Sequence, residues 1–431
     1  KDAETGKPLE GVVFGLYAQE DIKNAAGEVV VEKDALIELG TTDEEGKLVF
    51  QADLPHGKYY IQEVEHKPGY LPNDEVYSFD ASYTDQTLEL LAFSEEISNQ
   101  PTITEFTKVD LTGGQEIEGA KMQILDQEGK VVEEWVSKKE AHVVYALAPG
   151  EYILHEEQAP TEQGYVRAED VKFVVEETGD VQKVKMEDDH TKVSISKTDI
   201  TDGKEIEGAK LQILDQDGEV VESWTTGEEH LIEYLPVGTY TLHEEAAVDG
   251  YIVANDVEFT VEETGEIQKV KMEDERAMGQ LVIVKTDTDS KAALEGVEFV
   301  LLEKETGKEV GRLKTGKDGK AVSELLPIGT YENGVFKEPI TYVLKETATL
   351  KGYEKTEEEW EIVFTYQNDK TPVIEVVKEI QNKKIPETPG TVKPGPKTGD
   401  DTNWFLPLLA LGVSAGMVAG LLYSSKRHKK A

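Results

Sequence analysis

The sequence predicts an all-β protein made of tandem two-sheet sandwiches. Short runs alternate apolar with polar residues at the two-residue period of a half-buried strand. Turns rich in Gly, Asp and Pro, such as DQEG, DQDG, EEG and KDG, separate those runs. The pattern also repeats, since Lys108, Lys197 and Lys285 are spaced by 89 and 88 residues in near-identical surroundings. Helical periodicity is absent from the repeats, and seven or so strands in such a span suit a two-sheet sandwich.

Four modules are expected, at 1–100, 101–190, 191–277 and 278–384. Modules two and three are near copies, QEIEGAKMQILDQEGKVVEEW against KEIEGAKLQILDQDGEVVESW, which duplication explains. Module one is lengthened by AQEDIKNAAGEVVVEKDALI and module four by ENGVFKEPIT. Each module contains a turn of the form LPHGKY, LAPGEY, LPVGTY or LPIGTY, whose glycine is expected to take a positive φ. Modules two to four open KVD, KTD and KTD; the lysine that would match them ahead of Asp2 falls just upstream of residue 1, and Lys1 has the wrong strand parity to replace it. The chain therefore reads as the C-terminal portion of a longer protein.

After Lys384 the composition changes. IPETPGTVKPGP is an extended proline-rich spacer at 385–398 with the start of PKTGD. The rest, 399–431, contains an apolar run at 404–423 and ends in the basic cluster KRHKK. Twenty helical residues span roughly 30 Å, a bilayer core. The basic end is expected to stay cytoplasmic, with the modules outside.

Lysine and arginine number 45 against 88 aspartate and glutamate, a net charge of −43 that argues against nucleic-acid partners. Cysteine is absent, which excludes disulfides, thiolate metal sites and a thiol nucleophile. His155 and His243 have outward strand parity, and DQDG at 215–218 lacks the remainder of a calcium loop, so solvated histidines and a hairpin turn are expected. No cofactor is implied.

The chemistry is carried by ionisable residues at inward strand phases. In module three, Val193, Ile195 and Lys197 share one face, as do Tyr240, Leu242 and Glu244, and Val270, Met272 and Asp274. Buried charge is costly unless paired, neutralised or consumed. On residue pattern alone, a buried Lys–Glu ion pair with a polar neighbour competes with a chemical reaction. Desolvation favours the neutral, nucleophilic amine, and the same surroundings let a carboxyl hold a proton and polarise an Asx carbonyl.

The PKTG motif, apolar span and basic tail together resemble the cell-wall sorting signal of Gram-positive surface proteins. The resemblance implies that a sortase recognises Pro396, Lys397, Thr398 and Gly399, cuts after Thr398 and joins it to peptidoglycan; Gly395 stands where leucine is usual. The modules, through KxD…(L/I)xGAx, the YxLxE…GY block and a closing strand ending in Asx, resemble the transthyretin-like B-type domains of collagen-adhesin-like surface proteins. That family forms spontaneous Lys–Asx isopeptide bonds assisted by a glutamate. The implied sets are Lys108, Glu156 and Asp188; Lys197, Glu244 and Asp274; and Lys285, Glu346 and Asn382. Asp189 is the competing partner in module two. Module one retains Glu63 and Asn99 without a lysine, so it is expected to form no bond in this chain. The expectation is a wall-anchored adhesin stalk that is not an enzyme beyond this single turnover. Its partners would be sortase, peptidoglycan and, through an upstream region, a host matrix or glycoprotein ligand. Ligand-binding modules and a pilin subunit are the alternatives.

Overall fold

The computed structural model describes residues 1–82 and 92–386. In module two the alternating runs become eight strands in two four-stranded sheets. One sheet is ordered His142–Tyr145, Ile103–Asp110, Val181–His190, Tyr165–Val166; the other Val171–Val175, Gly150–Gln158, Lys121–Leu125, Val131–Val136. Within the described residues the helical content is one short 3₁₀ turn, Thr161–Gln163. Module three repeats the arrangement strand for strand.

The first and last strands of a module lie side by side in parallel, although their other neighbours are antiparallel. This pairing places the chain's entry and exit on adjacent strands of one sheet. Both are central strands with a buried inner face: Val193, Ile195 and Lys197 are all buried, and Met272 and Asp274 face them from the partner strand. Leu211, Ile213 and Leu242 close the module-three core from the opposite sheet.

Module four keeps this frame, with Met278–Asp287 parallel to Val373–Asn382, around a larger core containing Phe299, Tyr342, Trp360 and Phe364. Its insertion forms a hairpin, Gly329–Glu332 with Val335–Pro339. The insertion of module one likewise pairs Ile22–Lys23 with Val29–Val31 beside the sheet of Leu36–Thr41, Val13–Ala18, Lys58–Glu65 and Val76–Asp80.

The GY loop of one module meets the next module. Gly164, at φ +80°, lies so close to Tyr234 that a Cβ there would stand 2.3 Å from the Tyr234 carbonyl oxygen. The Tyr234 hydroxyl donates to Asp110 Oδ2 at 2.9 Å, and its ring stacks 3.9 Å from His190. At the next junction Tyr331 donates to the Gly250 carbonyl at 2.8 Å, and the Arg276 guanidinium sits 4.2 Å from the Tyr331 ring centre.

One backbone expectation holds in two modules and fails in two. The LPxG glycine has φ near +157° to +159° in modules one and two, and in modules three and four it is not among the positive-φ glycines. There Gly238 and Gly329 simply start strands. The left-handed positions are instead Ala146 and Tyr234, just before the LPxG turn, at φ 60° and 61°.

Candidate functional site

Strand register assembles the site. Lys108 stands opposite Met186 on the parallel last strand, and Asp188 lies two residues further on, so the two side chains are diagonal neighbours on the inner face. The same offset places Lys197 opposite Met272 beside Asp274, and Lys285 opposite Ile380 beside Asn382. The glutamates come from the facing sheet: Glu156 pairs with Met122, Glu244 with Leu211 and Glu346 with Phe299. Each set thus spans the sandwich core.

All nine side chains are buried; Lys108 is 4% exposed, Lys197 2% and Lys285 0%. Lys108 Nζ lies 2.9 Å from Glu156 Oε2 and also contacts Asp188 Oδ1. Lys197 Nζ lies 2.9 Å from Glu244 Oε2 and contacts Asp274 Oδ1. In module four Lys285 Nζ donates to Glu346 Oε2 at 2.8 Å and to Asn382 Oδ1. The Asn382 carboxamide donates to Glu346 Oε1 at 2.7 Å. In module two it is thus Asp188 that faces Lys108; Asp189 is turned away and pairs with Lys192 at 2.7 Å.

One buried ammonium beside two buried carboxylates leaves an uncompensated charge whose burial costs several kcal/mol. Taking up a proton removes it. Burial pushes the Asp188 carboxyl up to about 7, with the Lys108 ammonium opposing and the Glu156 carboxylate reinforcing the rise. Burial, opposed by Lys197 and reinforced by Glu244, does the same to Asp274, also to about 7. The oxygens left without a partner are Glu156 Oε1 with Asp188 Oδ2, and Glu244 Oε1 with Asp274 Oδ2. In module four the equivalent glutamate oxygen accepts the Asn382 N–H. A carboxylic-acid proton on the aspartate would fill the same role. Burial also lowers the Lys285 ammonium, against the pull of Glu346.

Backbone groups hold the glutamates in place. Ala168 N–H donates to Glu156 Oε2 and Ala254 N–H to Glu244 Oε2, both at 2.7 Å. In module one Asn99 donates to Glu63 Oε2 at 2.6 Å, and Asp2 bridges Asn99 in the register that Asp110 keeps with Asp188. Lys1 points elsewhere, to Glu96, so Glu63 and Asn99 meet no lysine.

His155 and His243 face outward and pair with Asp170 and Asp256 at 2.6 and 2.7 Å. DQDG is a hairpin turn closed by Asp215 N–H to the Glu219 carbonyl at 3.0 Å. Among the described residues no cluster of His, Cys, Asp or Glu is arranged to hold a metal ion. Pro396, Lys397, Thr398, Gly399 and the apolar run lie outside the described residues. Sequence reasoning missed the tyrosines that cap the KxD aspartates. Tyr70 donates to Asp2 at 2.8 Å and Tyr251 to Asp199 at 2.7 Å. The recurring GY pair was their only signal.

Solved structures with a similar arrangement include the Bacillus anthracis TIE protein, at 23% identity and TM-score 0.46, the match covering 89% of this chain and 73% of that one. The major pilin subunit of Bacillus cereus matches at 16% identity and TM-score 0.37, over 65% of this chain and 99% of that one. The shaft pilin of Lactobacillus rhamnosus GG matches at 15% identity and TM-score 0.19, over 46% and 99%. No curated protein sequence matches. The SpaA prealbumin-like fold domain matches four times in succession, over residues 1–93, 102–190, 191–276 and 279–339, and the chain belongs to that family.

Proposed function

We propose that this is a stalk protein of the Gram-positive cell surface, whose second, third and fourth modules each lock themselves with an intramolecular isopeptide bond. The observation that carries this is the buried Lys–Glu–Asx set, built three times with one geometry. In modules two and three the neutral Lys Nζ attacks the Asp Cγ. The glutamate takes a proton from the nitrogen and returns one to the departing hydroxyl, so a C–N bond forms, a C–O bond breaks and water leaves. In module four the Cγ–Nδ2 bond of Asn382 breaks and ammonia leaves. Fixed proximity replaces chemical activation; effective molarities of order 10⁵ M are available to groups so held. No cofactor takes part, and the reaction turns over once.

The sorting-signal resemblance supports a second step, in which sortase cleaves after Thr398 and joins the chain to peptidoglycan. The test for the bonds is intact-mass spectrometry of the full chain, where the expected result is the loss of two waters and one ammonia. An unmodified mass refutes the bonds. For anchoring, Thr398→Ala should release the protein from the wall fraction. A sortase-dependent high-mass ladder would identify a pilin subunit instead of a single-copy stalk.

A further inference from the structure

Module four expels a different group from modules two and three, and one neighbouring side chain changes with it. Asn382 presents two N–H groups. One donates to Glu346 Oε1 and the other to Thr349 Oγ1, both at 2.7 Å. Its Oδ1 meanwhile accepts from Lys285 Nζ. Thr349 sits three residues beyond the glutamate, and the residues at that position in modules two and three are Ala159 and Ala247. Those modules use aspartate, which has at most one acidic hydrogen to donate, and that hydrogen is matched by Glu156 Oε1 or Glu244 Oε1. A second acceptor would find no donor there. In module four, by contrast, an alanine would leave a carboxamide N–H without its fixed partner at the partly buried edge of the site.

We propose that Thr349 is a positioning residue that adapts module four to asparagine. With Thr349 in place the carboxamide is held at three corners: Oδ1 by Lys285, one N–H by Glu346 and the other by Thr349. Nδ2 is thereby kept beside the carboxyl that must protonate it. During the reaction the Lys285 Nζ–Asn382 Cγ bond forms, Cγ–Nδ2 breaks, and one proton passes from Nζ through Glu346 to Nδ2, which departs as ammonia. Thr349 neither gains nor loses a proton overall. For an aspartate at 382 the same hydroxyl works in the opposite direction, because it can donate to the ionised carboxylate and so favour the unreactive form.

This rests on the isopeptide reading, and the experiment separates the two. The full chain is made by in-vitro translation, sampled over time and digested, and the peptide linking positions 285 and 382 is quantified against the linked Lys197–Asp274 peptide. Thr349→Val should slow linkage in module four roughly five- to tenfold, the loss of about one hydrogen bond, and leave module three unchanged. Thr349→Ser, which keeps the hydroxyl, should retain the wild-type rate. In an Asn382→Asp background the sign should reverse, with Thr349→Ala linking faster than Thr349. Equal rates for Thr349→Val and wild type, or slowing of both partner residues alike, overturns the assignment. Absence of linked peptide from modules three and four of the wild type would instead refute the isopeptide reading beneath it.

Discussion

Replacing Glu244 by glutamine should leave module three folded and abolish its bond. Glutamine is isosteric, and its carbonyl oxygen can still accept the Ala254 N–H that holds Glu244 Oε2 at 2.7 Å. Its amide can donate to Asp274 Oδ2, the oxygen that otherwise has no partner. Lys197 and Asp274 remain in contact, so proximity is preserved. What is lost is the group that accepts a proton from the amine and returns one to the leaving hydroxyl. The intact mass should therefore rise by one water relative to wild type, apart from the small side-chain difference, and the Lys197–Asp274 linked peptide should vanish. The proposed bond would close a span of 77 residues, the separation of Lys197 and Asp274. Loop entropy of that size is worth about 4.5 kcal/mol in the unfolded state. For a module of this size such a loss lowers the melting temperature by roughly 18–36 °C. Calorimetry together with mass spectrometry on the full chain checks both parts. A Glu244→Gln protein that still lacks the water would refute the role given to the glutamate, and one that gains it without losing stability would refute the loop-entropy magnitude.

Other perturbations probe the same frame. Lys197→Met removes the cation that opposes the rise of Asp274, which even with that cation reaches about 7 in the folded module. The unlinked module should then be most stable below the unfolded carboxyl value near pH 4 and lose about 1.4 kcal/mol per pH unit as pH rises to 7 or beyond. Hydrogen exchange of module-three peptides across that range should show the loss, while the wild type, with Asp274 spent as an amide, should not. Under force the same variant should gain an extension step of roughly 250 Å, the length of the residues the bond had bypassed. Gly164→Ala should strain the junction of modules two and three, since φ is +80° and the new Cβ would meet the Tyr234 carbonyl at 2.3 Å. A cost of about 1–2 kcal/mol is expected, read as faster proteolysis at the junction with the linked masses unchanged.

Inward parity was legible wherever alternation was strict. VSISK, YTLHE and VKMED each carry two apolar residues in phase with the ionisable one, and the phase alone placed Lys197, Glu244 and Asp274 in the core. Parity favoured Asp188 without settling it against Asp189, and in the fold it is Asp188 that faces Lys108 while Asp189 pairs with Lys192. Three features were not legible. Parallel pairing of first and last strands is a long-range choice that no local pattern encodes. The positive φ expected of the LPxG glycine holds in modules one and two and fails in three and four, because glycine permits a positive φ without requiring one; Ala146 and Tyr234 are left-handed where they contact the preceding module. Thr349 has no periodic signature, and its meaning emerges only when the Asn382 hydrogen bonds are compared with the orphan oxygens of modules two and three.

The placement of the lysine and Asx would make the proposed bond suited to a stalk. The first and last strands run parallel, so tension on the chain ends pulls the two in shear along their shared ladder. In module two the lysine lies near the end of Ile103–Asp110, and Asp188 lies near the end of Val181–His190. Load entering at Ile103 would cross from Lys108 to Asp188 and leave through His190, with the strands between 109 and 187 carrying little of it. Wherever along this ladder a bond lies, load crosses at it and the residues looped out between the linked positions are bypassed. A bond between these two strands would therefore act mechanically as well as through loop entropy. Lys197 in Lys192–Asp199 and Lys285 in Met278–Asp287 occupy the same late position.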